Sequence, residues 1–217
     1  GYSRGVFRPR LFWNNGRGGS LFATSGLTVE NREGGTLPGA ELRPTSASYR
    51  EALDTLRIDA GTVGQRLVGA RHVLTARAAF AQQRHTHQFG EIPERDRHRS
   101  AFAELALRGT RGPHTWVAGT AVEYDAYRPR DEPKFAFAFI VPGMFVQDDW
   151  QLRRWLSTSS SGRVDVHSEY GTFFSPRVSV LARSGRWNGR VSVGGGFFGP
   201  SPLTEETEAA GLSRLQI

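Results

Sequence analysis

Residues 177–198 read RVSVLARSGRWNGRVSVGGGFF, and the alternation within them decides the fold. Valine stands at every second position, with arginine or serine between, in Val178 and Val180 and again in Val191 and Val193. Successive side chains of a β-strand point to opposite faces, so this period gives each strand a valine face and a polar face. The turn signal SGRWNG separates the two halves. The stretch therefore predicts an antiparallel hairpin with one apolar side.

The same period extends over most of the chain. Ten segments alternate in this way and are bounded by Gly, Pro, Asn or Asp, at residues 10–15, 20–32, 50–67, 72–87, 100–110, 115–127, 137–152, 155–167, 176–183 and 190–198. Helical periodicity is nowhere sustained. The sequence thus predicts an all-β protein in which about ten antiparallel strands follow one another in an up-and-down meander.

The connections between these segments differ in length. Short turns alternate with longer polar stretches, which we expect to form loops at 33–48, 88–99 and 128–134. In a meander every second connection lies at the same end, so one end of the sheet should carry the short turns and the other end the long loops. Transmembrane barrels of the outer membrane have short periplasmic turns and longer extracellular loops. The pattern therefore favours a transmembrane β-barrel segment.

Tryptophan placement points to the same architecture. All five tryptophans lie in or within three residues of a predicted short turn: Trp13, Trp116, Trp150, Trp155 and Trp187. Indole rings prefer the membrane–water interface, so we expect these residues to be interfacial anchors at one end. A second girdle should lie about 25 Å away along the barrel axis. We expect it at the level of Tyr124, Tyr127, Phe139, Tyr170 and Phe173.

The polar face predicts a wet lumen. Small apolar residues repeat on the opposite face, and an arginine turned to lipid at mid-depth would cost about 2–4 kcal/mol. We therefore expect the charged residues of both signs to face the lumen: Arg57, Asp59, Arg77, Glu104, Arg108, Glu123, Asp125, Arg163, Asp165 and Arg190. Asp148 is the exception, because its parity groups it with Val146 and Trp150. We expect it below the hydrocarbon, beside the short turn at 153–154.

Composition excludes several other classes. No apolar run approaches the roughly 18 residues of a spanning helix. Cysteine is absent, which excludes disulfides and thiolate metal sites. The net charge of +7 comes from arginines scattered singly through the strands, without a nucleic-acid-binding motif. Ser, His and Asp residues form no recognisable nucleophile and base pattern, so we expect neither an enzyme nor a cofactor.

The stretch RHTHQFGEIPERDRH, residues 84–98, carries the clearest candidates for ligand contact. His85 and His87 share one side of a strand, so they are candidates for contact with a metal chelate. Arg95, Arg97 and His98, with Arg84 and Arg99, could attract anionic lipopolysaccharide or an acidic ferric chelate. The alternative is a solvated extracellular loop that is rich in His and Arg by chance.

Several short motifs resemble those of TonB-dependent outer-membrane receptors. They are FVQDDW at 145–150, GRVD at 162–165, SPR at 175–177 and GFFGPSPLTE at 196–205, while residues 11–36 are similar to an earlier hairpin of such barrels. The last motif has Phe198 and Gly199 where arginine and alanine are usual, so no role of that arginine carries over. The resemblance covers most of the chain.

The resemblance implies an active transporter of a scarce ligand such as a ferric siderophore, cobalamin or an oligosaccharide. Residues 1–217 would then be part of the barrel domain, without the plug and the remaining strands. The implied partners are outer-membrane lipid and lipopolysaccharide, the plug, the TonB complex and the small ligand, in the outer membrane of a Gram-negative bacterium. The alternatives are a passive porin-like barrel and a soluble β-sandwich with a binding or adhesion role.

Overall fold

The computed structural model describes residues 1–36, 49–200 and 212. These residues form a short 3-10 helix at Pro133–Phe135 and the strands β1 (Tyr2–Phe7), β2 (Arg10–Asn14), β3 (Gly19–Gly35), β4 (Arg50–Val68), β5 (His72–Phe89), β6 (Ile92–Arg111), β7 (His114–Pro129), β8 (Phe137–Arg153), β9 (Leu156–His167), β10 (Gly171–Ser184) and β11 (Trp187–Gly194). No helix among them has the length and hydropathy to cross a bilayer.

All strands belong to one antiparallel sheet, and from β3 to β11 each strand pairs with its neighbours in sequence. The first two strands both pair with β3, on one line: Phe7 lies opposite Leu27, and Arg10 lies opposite Thr24. Pro9 interrupts this line because proline has no backbone N–H to donate to the ladder. The eleven strands therefore occupy ten positions in the sheet. The predicted all-β, up-and-down architecture of about ten strands is confirmed.

The connections between strands are uniformly short, as predicted, at one end of the sheet only. There the chain turns within residues 15–18, 69–71, 112–113, 154–155 and 185–186. Gly112 and Gly185 take positive φ values of 56° and 55°, which only glycine adopts without strain. We call this the turn end. At the far end the connections are residues 36–49, 90–91, 130–136 and 168–170, so their lengths vary.

The predicted loop at 88–99 is wrong. Residues 72–89 and 92–111 are paired strands, and only residues 90–91 turn, with Gly90 at a φ of 66°. A polar segment can extend a sheet when both of its faces meet water and its charges pair across strands. Here His85 pairs with Asp96 across the two strands. The predicted loop at 33–48 falls largely on residues 37–48, and the motif at 196–205 largely on residues beyond 200, outside the described part of the chain.

The strand register separates two faces with opposite character. Residues opposite one another share a face, which assigns the even residues of β4, β5, β7, β8, β9 and β10 and the odd residues of β3, β6 and β11 to an apolar face. Large side chains there stay exposed, such as Ile58 at 45%, Leu105 at 50% and Val146 at 55%. No second sheet covers this face within the described ranges. This arrangement is not a β-sandwich.

The buried residues are few and do not form a conventional core. One small cluster joins Tyr127, Phe135 and Leu212, with Phe137 packed against it. A water-soluble domain of this size would bury a contiguous apolar core. The apolar side chains of this chain lie instead on an exposed face of the sheet. An exposed apolar surface of this kind is typical of a face that contacts lipid or another protein.

Candidate functional site

The face opposite the apolar one is the candidate functional surface, and we call it the polar face. The register places all ten predicted charged residues on it: Arg57, Asp59, Arg77, Glu104, Arg108, Glu123, Asp125, Arg163, Asp165 and Arg190. The period-2 rule brought them together correctly because each one continues the polar positions of its strand. That this face lines a lumen stays a prediction.

Ion pairs connect these residues within and between strands. Arg77 Nη1 lies 3.4 Å from Glu104 Oε1 on the neighbouring strand. The Arg163 guanidinium lies 2.7 Å from Asp165 Oδ1 and 3.5 Å from Glu123 Oε1. Arg77 and Arg163 thus each have a carboxylate partner on the same face. A face of this kind is stable in contact with water and would be costly in contact with lipid.

Two of the ion pairs reach across an intervening strand. Arg8 Nη2 donates to Asp59 Oδ1 at 2.9 Å, passing over Gly26 of β3. The Arg163 and Glu123 pair passes over β8 at Gly143, where an added Cβ would collide with Asp165. Side chains two strands apart meet when a sheet curves toward the face that carries them, so the polar face is the concave one. Gly26 and Gly143 leave room for these ion pairs, because a Cβ at either position would collide with the paired side chains.

Hollows of about 700 Å³ and about 510 Å³ lie along this face. The first is lined by Arg57, Asp59, Ser100 and Glu123 among others. The second, near the turn end, is lined mainly by hydroxyl, amide and guanidinium groups, including Ser159, Ser161, Arg177, Ser179 and Arg190. The polar lining of the second hollow suits water and polar solutes rather than hydrocarbon.

The three histidines predicted as ligand contacts all lie on the polar face, toward the far end. His85 Nδ1 lies 3.2 Å from Asp96 Oδ1, and His98 Nε2 lies 2.5 Å from Asp125 Oδ1. His87 Nε2 lies 3.2 Å from Glu51 Oε1. Each imidazole thus has its own carboxylate. No group of three His, Cys, Asp or Glu side chains arranged to hold a metal ion occurs in the described ranges.

Arg95 and Arg97 do not join the histidines. Both occupy odd positions of β6 and project from the opposite face, with the side-chain direction of the apolar residues. Arg95 is held by the connection at 130–136, where its guanidinium donates to Asp131 Oδ1 at 2.6 Å and its backbone N–H donates to Asp131 Oδ2 at 2.7 Å. This bond raises the pKa of Arg95 and lowers the pKa of Asp131. The placement of the five candidates in one loop is therefore wrong.

An aromatic cluster on the polar face replaces part of the predicted second girdle. Tyr127, Phe139 and Phe173 share the polar face rather than the apolar face. Rings join in a chain whose centroid separations include 4.8 Å for Phe137 and Phe139 and 4.9 Å for Phe139 and His167. Their parity is the signal that could have located them, since Tyr127 alternates in step with the charged residues of its strand. Tyr124 does project from the apolar face.

The tryptophans lie as the sequence predicted. Trp13, Trp116, Trp150 and Trp187 project from the apolar face at the turn end, and Trp155 lies in the turn between β8 and β9. Their role as membrane anchors stays a prediction. Asp148 projects from the apolar face among them. Its Oδ2 lies 2.7 Å from His114 Nδ1, and the His114 ring stacks on Trp150 with centroids 5.2 Å apart.

Comparisons with known proteins show the fold. No family model matches the sequence, and no curated protein matches it. Among solved structures, the siderophore receptor PirA from Pseudomonas aeruginosa superposes with a TM-score of 0.64 at 12% identity, covering 93% of this chain and 40% of that one. The ferric yersiniabactin uptake receptor FyuA from Yersinia pestis gives a TM-score of 0.52 at 12% identity, covering 89% of this chain and 34% of that one.

This chain therefore spans less than half the length of either structure that it resembles. The strands follow the arrangement of an outer-membrane β-barrel, and both of these solved structures are receptors rather than enzymes. At 12% identity the likeness carries the architecture and no further property.

Proposed function

We propose that this chain forms part of the wall of an outer-membrane barrel that takes up a scarce ligand in a TonB-dependent manner. The segregation of the two faces supports this proposal above all. One face exposes a continuous apolar surface, and the other holds paired charges of both signs. A bilayer outside and water inside satisfy both faces at once.

The proposed orientation follows from the ends of the sheet. The turn end, with its tight connections and tryptophans, would face the periplasm. The far end would face the exterior, and strands β4, β5 and β6 would extend beyond the bilayer there, because each has 18 to 20 residues and about 9–11 residues span the hydrocarbon. In the proposed protein the unpaired edges of β1 and β11 would pair with further strands, since a bilayer does not tolerate open edges.

The ligand would first meet the aromatic cluster of Tyr127, Phe137, Phe139, His167 and Phe173 on the polar face. Stacked rings offer flat apolar surfaces beside histidine and carboxylate groups, which suits an aromatic metal chelate better than a small inorganic ion. Siderophores are chelates of this type; PirA is a siderophore receptor, and FyuA is an uptake receptor for ferric yersiniabactin. A ferric siderophore is therefore our preferred ligand, ahead of cobalamin and an oligosaccharide.

Uptake by living cells tests this function. Cells with and without the gene of the natural protein that contains this sequence would be supplied with a labelled ferric catecholate siderophore, cobalamin or a maltooligosaccharide. We expect accumulation of the siderophore to require both the gene and an intact TonB complex. Gene-dependent uptake that persists without the TonB complex would instead identify a passive barrel. Recovery of the protein in the soluble fraction would refute a membrane role altogether.

Substitution within the aromatic cluster tests the proposed ligand surface. Phe139→Ala removes a ring from the polar face, so we expect the concentration of siderophore that gives half-maximal uptake to rise about tenfold, as a lost stacking contact would predict. Phe174→Ala is the matched control, because Phe174 projects from the apolar face and is 66% exposed. Surface levels of the two variants would be compared by antibody labelling. Equal uptake by both variants would contradict the assignment.

A further inference from the structure

A row of arginines crosses three strands on the exterior of the sheet. Arg84 on β5 lies directly opposite Arg97 on β6, and Arg97 lies directly opposite Arg128 on β7. Opposite residues on neighbouring strands have Cβ atoms about 4.5–5.5 Å apart, and like charges in such positions destabilise a sheet. We call Arg84, Arg97 and Arg128 the arginine row. An anion bound beside the row would offset this repulsion.

The chain itself supplies no such anion in its described part. None of the three guanidinium groups has a carboxylate partner there, although Arg95 nearby is paired with Asp131 and Arg99 donates to Gln82 Oε1 at 2.8 Å. Arg84 and Arg128 are exposed, and Arg97 between them is half-buried. The contrast with the polar face is sharp, since arginines such as Arg163 have carboxylates on the same face.

The proximity of the charges affects the pKa of Arg97. The positive charge of Arg84 lowers the pKa of Arg97, with further contributions from burial, Arg99 and Arg128. A guanidinium group nevertheless stays protonated at neutral pH. Within the described part of the chain the row therefore carries three positive charges without a carboxylate partner, and a bound anion would relieve the repulsion between them.

The height of the row matches the boundary of a bilayer. Ten residues of β7 separate Trp116 from Ala126, about 33 Å of strand at about 3.3 Å per residue. A strand tilt of about 40° reduces this to about 25 Å along the axis, the height of the apolar band of such barrels. Arg128 lies one pleat beyond Ala126, and exposed Phe80 lies two pleats below Arg84 on the same face. The row thus stands where headgroups would meet acyl chains.

The arginine row lies on the apolar face, so the imported ligand is not the anion that it would bind. The residues that alternate with the row, among them Asp96, His98 and Tyr127, project from the polar face and would line the passage. The row points away from that passage and toward the surrounding membrane. An anion at this site would therefore belong to the membrane.

We propose that the arginine row, together with Arg99, binds the phosphate groups of a phosphorylated lipid in the outer leaflet of the outer membrane. The proposal rests on the proposed function, which supplies the membrane and its orientation. Guanidinium groups bind phosphate through two parallel hydrogen bonds, and the apolar side chains below the row would contact the acyl chains of the same lipid. The site would fix which part of the barrel exterior contacts this phosphorylated lipid.

The test uses the natural protein that contains this sequence, purified in a neutral detergent. One variant carries Arg84→Gln, Arg97→Gln and Arg128→Gln. The matched control carries Arg71→Gln, Arg154→Gln and Arg186→Gln, which remove the same charge from exposed turns at the opposite end. Binding of diphosphoryl lipid A, phosphatidylcholine and inorganic phosphate would be measured by native mass spectrometry and by thermal unfolding.

We expect the row variant to bind diphosphoryl lipid A at least about tenfold more weakly than the control, because one charge-assisted hydrogen bond contributes about that factor. Without lipid, the row variant should unfold at a higher temperature than the wild type, since its repulsion is removed. Lipid A should stabilise the wild type and the control more than it stabilises the row variant. Equal affinity in both variants, or inorganic phosphate that binds as tightly as lipid A, would overturn the proposal.

Failure of this proposal and failure of the proposed function give different results. A protein that fractionates with the outer membrane and takes up its ligand, yet shows no difference between the variants, lacks only the lipid site. A protein that is absent from the outer membrane would refute the function and its orientation, whatever lipid binds.

Discussion

Val193→Arg tests which medium covers the apolar face. Val193 lies opposite Val178 on that face and is 73% exposed. Trp187 lies six residues earlier on the same strand, about 20 Å away at about 3.3 Å per residue, or about 15 Å along an axis tilted by about 40°. If Trp187 marks one interface, Val193 lies near the middle of the hydrocarbon.

The expected cost follows from this depth. An arginine near the midplane on the lipid face destabilises a barrel by about 2–4 kcal/mol, which is roughly 30-fold to 900-fold in the ratio of folded to unfolded protein. Ser192→Arg places the same side chain one residue away on the polar face. It breaks the hydrogen bond of 3.0 Å between Ser192 and Ser179, which costs about 1 kcal/mol. The two variants should therefore differ by about 1–3 kcal/mol.

Folding of the natural protein into liposomes, followed by urea titration, measures this difference directly. Assembly in cells is read from the amount of protease-resistant protein in the outer-membrane fraction. We expect Val193→Arg to reduce both the stability and the amount of assembled protein, whereas Ser192→Arg should lower the stability by only about 1 kcal/mol. Equal tolerance of the two variants would refute the assignment of the faces, and a larger effect of Ser192→Arg would reverse it.

Two further predictions concern the crowded polar face and the far end. Gly143→Val should destabilise the protein by about 1–3 kcal/mol in the same titration, because a Cβ at this position collides with the Asp165 carboxylate. Gly189→Val is the control and should have no effect, since a Cβ there meets nothing within 4 Å. Equal effects of the two substitutions would contradict the crowding beneath the ion pair of Arg163 and Glu123. Arg95 lowers the pKa of Asp131 below its ordinary 3.8. The ion pair therefore stabilises the folded state fully above pH 3.8, and this stabilisation is lost as the pH falls through the lower pKa that Asp131 has in the folded state. Amide exchange at residues 130–136 should accelerate over that range in the wild type and show no such transition in Asp131→Asn, and a transition that persists in the variant would assign it to another group.

The alternation of side chains predicted most of the fold because it is a local property. A strand with period 2 separates its faces wherever it lies, so the ten charged residues could be assigned to one face before any pairing was known. The tryptophans could likewise be placed at one end, since each lies beside a tight turn. The interrupted first strand was missed, because Pro9 and Gly5 weaken the pattern over residues 2–9.

Polarity alone could not distinguish a solvated loop from a solvated strand at 88–99. Both expose polar side chains to water, and only cross-strand partners such as Asp96 for His85 decide between them. The same limit applies to the aromatic cluster and the arginine row, whose members come from different strands. Their contacts depend on the pairing register, which each strand acquires from its neighbours. The sequence by itself determined the two faces of every strand, and the tertiary structure decided which side chains meet on them, because register is a property of pairs of strands.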